Sequence, residues 1–193
     1  MNSVTPIIAI VGMPGSGKTL ACDFLKTKGY PVLRFGDETD LGLKAQGLPL
    51  TAANEKNFRE NLRKELGMAA YAIKIAPRIK ATFRTFRSGS ECIILDGLYS
   101  WEEYLYLKKL FPQLTLLCIY ARPEIRYQRL AVRPIRPLTL KEARKRDIAE
   151  LENLNKGGPI AIADYLITNN ADEPTLYHNL EKLLSNNLQD PSL

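Results

Sequence analysis

Apolar residues along the chain come in short solid runs, separated by stretches in which they recur every three or four positions. Ile7-Ile8-Ala9-Ile10-Val11 is the first run. Unbroken apolar runs of this length predict strands buried on both faces, as in a parallel sheet. Pro31-Val32-Leu33-Arg34-Phe35, Glu91-Cys92-Ile93-Ile94-Leu95-Asp96, Leu114 to Tyr120 and Ala163 to Thr168 predict four more, five in all.

Between them the spacing is helical. Leu20 to Lys28 places Leu20, Phe24 and Leu25 on one side. Glu38 to Gln46 forms a short helix stopped by Gly47 and Pro49. Thr51 or Asn54 caps a helix through Leu66, and Gly67 breaks it. Met68 to Arg87 follows, with Pro77 as a kink or boundary. Trp101 to Leu110 carries an apolar stripe of Leu105, Leu107 and Leu110. Pro123 suits the first turn of a helix running to about Val132. Thr139, with Glu142 three residues on, makes a capping box for a basic helix to about Asn155, ended by Gly157-Gly158-Pro159. Asp172 to Leu188 is the last helix, and Gln189 to Leu193 a frayed tail. Alternating strands and helices predict an α/β fold, a parallel sheet covered on both faces. Ligands bind at the carboxyl ends of such strands.

Composition narrows the class. With 193 residues, 45% hydrophobic and 25% charged, the chain predicts one globular domain over residues 1–193. No apolar run approaches the length of about 20 residues that spans a membrane. Met1 to Pro6 lacks the basic start and apolar core of a signal peptide. Cys22, Cys92 and Cys118 lie in apolar segments without metal-ligand spacing, so buried thiols and a cytoplasmic setting are expected. His178 falls in the last helix, away from any motif.

The chemistry centres on Gly12-Met13-Pro14-Gly15-Ser16-Gly17-Lys18-Thr19, which fits the phosphate-loop pattern G-x-x-x-x-G-K-[ST] between a strand and a helix. Its glycines let backbone N–H groups close on an anion, and the helix start adds partial positive charge. Lys18 is expected on the β- and γ-phosphates of ATP, and the Thr19 hydroxyl on Mg²⁺. Asp96 ends an apolar strand, as a Walker B aspartate does, and is the second expected Mg²⁺ ligand. Gly97 follows it, leaving space for an acceptor and no base for water. The N-K-x-D signature of guanine-specific GTPases is absent; the last strand leads into Thr168-Asn169-Asn170-Ala171-Asp172. Asp37 follows the second strand, where it could orient an acceptor oxygen or cap the next helix.

The net charge is +6, and nine basic residues fall between Arg122 and Arg146 against Glu124 and Glu142. Pro134 and Pro137 bracket Ile135-Arg136, a break that suits a short lid. Arginines closing over a transferring phosphoryl group stabilise its charge and exclude water. Arg129, Arg133, Arg136 and one of Arg144 or Arg146 are candidates, with Arg133 first because it ends a helix beside the break. Nucleic-acid binding is the weaker reading, since only Tyr127 interleaves an aromatic ring.

Together the phosphate loop, Gly36-Asp37, Asp96 to Ser100, the Arg129-Leu130 helix with Arg133, Arg146-Asp147 and Ala163 to Asn169 resemble the P-loop nucleoside-monophosphate kinase superfamily. Dephospho-CoA-kinase-like and adenylate-kinase-like proteins of unassigned substrate are the most similar in pattern. The resemblance implies strand order 2-3-1-4-5, a helical acceptor-binding insert at 37–90 and an arginine lid at 133–146. It implies ATP with Mg²⁺, Asn169 against the adenine, and phosphoryl transfer to a small acceptor, a nucleotide or nucleotide-like metabolite. Two departures stand out. Such kinases carry an arginine soon after the Gly-Asp and another after the Asp-Gly; here Glu38-Thr39-Asp40-Leu41 and Leu98-Tyr99-Ser100 take those places. Arg59, Arg63, Arg78 and Arg84 of the insert are possible substitutes, or surface residues. An NTP-binding regulatory module and a nucleic-acid-end kinase remain the alternatives.

Overall fold

The computed structural model describes residues 5–85 and 92–187. The expected helix ends at Arg87 and Leu188, the strand start at Glu91, the chain start and the Gln189–Leu193 tail lie outside them. In chain order the elements are β1 (Ile7–Val11), α1 (Lys18–Thr27), β2 (Val32–Arg34), α2 (Asp37–Ala45), α3 (Ala52–Leu66), α4 (Ala70–Thr85), β3 (Ile93–Asp96), α5 (Trp101–Leu110), β4 (Leu114–Tyr120), α6 (Pro123–Val132), α7 (Leu140–Leu154), α8 (Gly157–Ala161), β5 (Tyr165–Thr168) and α9 (Glu173–Asn187).

The strands form one parallel sheet in the order β2-β3-β1-β4-β5. β1 is central and buried along its whole length, because both faces of the sheet are covered. Alternation along the strand splits it between two cores. Ile7, Ala9 and Val11 pack with Ile75 and Ile79 of α4 and Leu107 of α5. Ile8 and Ile10 pack with Ala21 and Leu25 of α1 and Leu176 and Leu180 of α9. Cys22, Cys92 and Cys118 are buried free thiols, as expected. Among the described residues no helix is long and apolar enough to cross a membrane.

Register lines up the strand ends that carry the chemistry. Asp96 lies opposite both Ile10 of β1 and Arg34 of β2. Tyr120 of β4 lies opposite Thr168 of β5, and the Asn169 N–H donates to the Tyr120 carbonyl at 2.6 Å.

Three local expectations change. α2 begins at Asp37 with Gly36 as its cap, so Asp37 is not the capping residue. The expected apolar stripe of α5 is not its buried face. Leu105 and Leu110 are 49% and 38% exposed, whereas Leu107 and Glu103 are buried. α5 instead starts with a capping box, in which Ser100 and Glu103 exchange hydrogen bonds with each other's backbone N–H. α7 ends at Leu154 with Asn155 as its cap, close to the expected end, but the Gly157-Gly158-Pro159 segment expected only to end it opens the short helix α8. The helix continues through Pro77 in α4, and Thr51 rather than Asn54 caps α3.

Candidate functional site

The loop between β1 and α1 is a cradle of backbone donors. Gly17 caps α1 at φ 102°, and no side chain occupies the open N–H groups of the first turn. A Cβ at Gly17 would sit 2.2 Å from Asn169 Nδ2, and one at Gly12 would sit 2.3 Å from the Ile119 carbonyl oxygen. Both positions therefore demand glycine, for their positive φ as well as for space. The Ser16 hydroxyl is buried with no hydrogen-bond partner among the described residues. Lys18 donates to the Met13 carbonyl at 3.0 Å. Burial pulls the Lys18 pKa down to about 7, and the Lys156 charge adds to the effect. Open amides, an orphaned hydroxyl and a desolvated ammonium are the donor set that a polyphosphate satisfies.

Two braces hold this cradle. Arg126 is buried on α6 and grips Asp147 of α7 through two hydrogen bonds of 2.9 and 2.6 Å. Its guanidinium also donates to the Pro14 carbonyl at 3.0 Å, so the ion pair reaches the phosphate loop directly. Tyr127 donates its hydroxyl to the same Asp147 at 2.9 Å. On the other side Asn169 donates to the Ser16 carbonyl at 2.8 Å, and Arg129 donates to the carbonyls of Asn169 and Ala171, both at 3.0 Å. Arg126 is not singled out by sequence. The available signal is its spacing: Arg126 and Arg129 are three apart on α6 and share a face.

Asp96 ends β3 with 14% of its side chain exposed, 3.7 Å from Arg34 Nε. Burial raises its pKa, while Arg34 and Lys18 pull it down. Thr19 is exposed in the first turn of α1. Among the described residues no group of three His, Cys, Asp or Glu forms a metal cage. The donor set of one hydroxyl and one carboxylate fits Mg²⁺, which takes few protein ligands and completes its shell with phosphate oxygens and water.

Two cavities open at this end of the sheet. One, of about 580 Å³, is walled by Lys18, Thr19, Arg129, Arg133 and Asn169. The other, of about 430 Å³, is walled by Arg34, Asp40, Arg59, Arg63, Tyr99 and Arg136. The lid break joins them. Arg133 Nε donates to the Arg136 carbonyl at 2.6 Å, and Arg136 takes a left-handed φ of 54°. The sequence candidates therefore separate. Arg133, Arg129 and Asn169 gather with the phosphate loop, and Arg136, Arg59 and Arg63 with the second cavity. Asp37 does not line either wall; it pairs with Arg78 at 3.1 Å, and Arg78 also holds Glu38 at 2.7 Å. Arg84, Arg144 and His178 are exposed. Arg146 pairs with Glu150 at 2.9 Å.

Comparison with known proteins agrees with this geometry. A family model described as an AAA domain matches residues 8–164. A UPF0200 protein of Pyrococcus abyssi is 34% identical over 182 residues, covering 92% of this chain and 95% of its own. Among solved structures, TT1252 from Thermus thermophilus superposes with a TM-score of 0.65 at 20% identity, over 94% of this chain and 97% of that one. A shikimate kinase from Acinetobacter baumannii, in complex with shikimate, superposes with a TM-score of 0.59 at 20% identity, over 96% of each chain. The chain belongs to the UPF0200 family and carries an AAA domain, and its five-stranded fold is the one seen in these structural matches.

Proposed function

We propose that the chain transfers the terminal phosphoryl group of ATP to a small acceptor, a nucleotide or nucleotide-like metabolite. The observation that carries this reading is the pairing of cavities. A phosphate-loop cavity lies beside a second one of about 430 Å³ lined with arginine, and the lid break runs between them. A hydrolase needs only the first. The shikimate kinase among the structural matches holds its small substrate as a bound ligand, which agrees with a small acceptor here.

Backbone amides of Gly12 to Thr19 bind the phosphates, with Met13 and Pro14 carrying the turn. Lys18 neutralises the β/γ bridge. Arg133 covers the transferring group and keeps water out. Arg129 and Asn169 hold the loop that closes over the base. Thr19 and Asp96 would hold Mg²⁺, which when bound would supply positive charge to the transferring phosphoryl oxygens. Asp37, paired with Arg78 at 3.1 Å and directly following Gly36 of the second cavity's wall, orients the acceptor oxygen. Segment 37–90 forms the acceptor side and 133–146 the lid of a single domain.

The test is ADP release from ATP and Mg²⁺ across a panel of nucleoside monophosphates, dephospho-CoA and nucleosides. At least one acceptor is expected to raise release well above the water background, and Lys18→Ala to abolish it. No stimulation by any of them would favour an NTP-binding regulatory module. Salt-dependent oligonucleotide binding would favour the nucleic-acid-end kinase.

A further inference from the structure

A second buried ammonium lies beside the phosphate loop, and the reading above gives it no role. Lys156 has a side chain only 3% exposed, at the turn joining α7 to α8. It is paired with Glu150 of α7. Its Nζ also stands 4.5 Å above the centre of the Tyr99 ring. That ring in turn borders Gly97, where a Cβ would lie 3.4 Å from it, directly after Asp96. Tyr99 also walls the arginine-lined cavity. Lys156 is thus placed between the Asp96 end of β3 and the acceptor side. Lys156 and Lys18 are near enough for their charges to interact.

The placement is fixed from several directions. Asn155 takes a left-handed φ of 50° and donates from its amide to Glu102 at 2.9 Å. Gly158 packs on Trp101 so closely that a Cβ would approach the ring to 2.7 Å. Both contacts anchor the turn to the start of α5. Glu150 gathers a second cation, accepting from Arg146 Nε at 2.9 Å. Around this point five cations, Lys18, Arg34, Arg126, Arg146 and Lys156, stand against four carboxylates, Asp23, Asp96, Asp147 and Glu150. A buried ammonium is costly unless its charge is matched, and one carboxylate between two cations leaves an excess of positive charge. An anion supplied from outside completes the set.

We propose that Lys156 is a terminal-phosphate-binding residue of the nucleotide site, with Glu150 as its positioning partner and Arg146 as an outer arm. The proposal rests on the ATP-binding part of the proposed function. Lys18 holds the nucleotide from the phosphate-loop side. Lys156, supplied from α7–α8, meets the terminal phosphate from the acceptor side.

The experiment compares affinities of a non-hydrolysable ATP analogue and of ADP for the full chain and its variants by calorimetry. Lys156→Met combined with Glu150→Gln removes the pair without leaving a lone buried charge. Such a swap is neutral or stabilising when a pair is purely structural, so the melting temperature is expected to hold. A hydrogen bond to a charged group corresponds to about tenfold or more in affinity. The analogue should therefore weaken by at least about tenfold relative to ADP. Lys156→Arg, which keeps the charge, should keep most of the preference. An unchanged analogue-to-ADP ratio in the double variant would overturn the proposal, as would an equal loss in Lys156→Arg with unchanged melting. If the double variant fails to fold, Lys156→Arg and Lys156→Gln decide by the same ratio. Acceptor-dependent ADP release by the unaltered chain tests the kinase reading separately. A chain that discriminates the analogue through Lys156 yet transfers nothing would sink that reading and leave this one standing.

Discussion

Lys18 holds the largest electrostatic cost among the phosphate-loop residues. Its folded pKa is about 7 because burial disfavours the charged form. An unfolded lysine titrates at about 10.4. Between those values the unfolded chain binds the extra proton, so the ligand-free fold gains stability as pH rises through that window. Lys18→Met is expected to melt a few °C higher than the unaltered chain at pH 7. The gap should close toward pH 10, and nucleotide binding should be lost. A variant that melts lower at pH 7, with a constant gap, would show that Lys18 stabilises the empty site instead. The acceptor carboxylate is also a single-residue question. Asp37 is tied to Arg78, whereas Asp40 lines the cavity. Asp37→Asn is expected to lower kcat at least about a hundredfold, the lower end of the range for a general acid–base group, while Asp40→Asn mainly raises the acceptor KM. The reverse pattern in steady-state kinetics would transfer the orienting role to Asp40.

At the scale of elements, the site depends on how α6 meets α7. Arg126 is buried, paired with Asp147 and bonded to the Pro14 carbonyl. Arg126→Met leaves the buried Asp147 carboxylate without its counter-ion and with only the Tyr127 hydroxyl as donor, and breaking such a pair costs about 3–5 kcal/mol. Adding Asp147→Leu should restore most of that loss in denaturant titrations without restoring nucleotide affinity, because the Pro14 carbonyl still lacks its donor. Recovery of both would reduce Arg126 to a packing residue. Much of this level is legible in the sequence. β1, β3 and β4 announce themselves as unbroken apolar runs because both faces of a parallel sheet are covered. The Thr139 cap and the Pro123 start are local chemistry that needs no partner. Arg126 is different: nine basic residues between Arg122 and Arg146 look alike until a neighbouring helix selects one face of α6. α5 misleads for the same reason. Its three leucines make a plausible stripe, but the capping carboxylate of Glu103 turns inward with Leu107. Lys156 hides in a Gly-Gly-Pro context that reads as a break, and Glu150, six residues away, meets it only once α7 has turned into α8.

At the scale of the molecule, the sheet end presents two differently charged rooms with a shared wall. Arg34, Arg59, Arg63 and Arg136 face the second cavity against Asp40 and Glu55. Arg59 and Arg136 lean on Glu55 at 3.2 and 3.8 Å. Arg63 lies 5.5 Å from the Tyr71 ring centre, and its buried Nε has no partner among the described residues. Arg78 and Arg84, the other substitutes that sequence suggests, are engaged with Asp37 and Glu38 or exposed. Of the arginines that sequence suggests as acceptor clamps, only Arg59 and Arg63 of α3 line the second cavity, and Arg133 lines the phosphate-loop cavity. These two halves should fail independently. Arg59→Ala with Arg63→Ala is expected to leave affinity for an ATP analogue within about twofold, because neither side chain lines the phosphate-loop cavity and their link to Arg133 runs only through Glu55 and Arg136. The acceptor KM should rise at least about tenfold with the loss of charged contacts. Arg133→Ala should do the opposite, lowering kcat and analogue affinity with little change in acceptor KM. A single assay matrix, analogue titration beside steady-state acceptor kinetics for both variants, reads the cross. If the α3 variant lost analogue affinity as severely as acceptor affinity, the two cavities would be one site and the division of labour between phosphate loop and insert would fall.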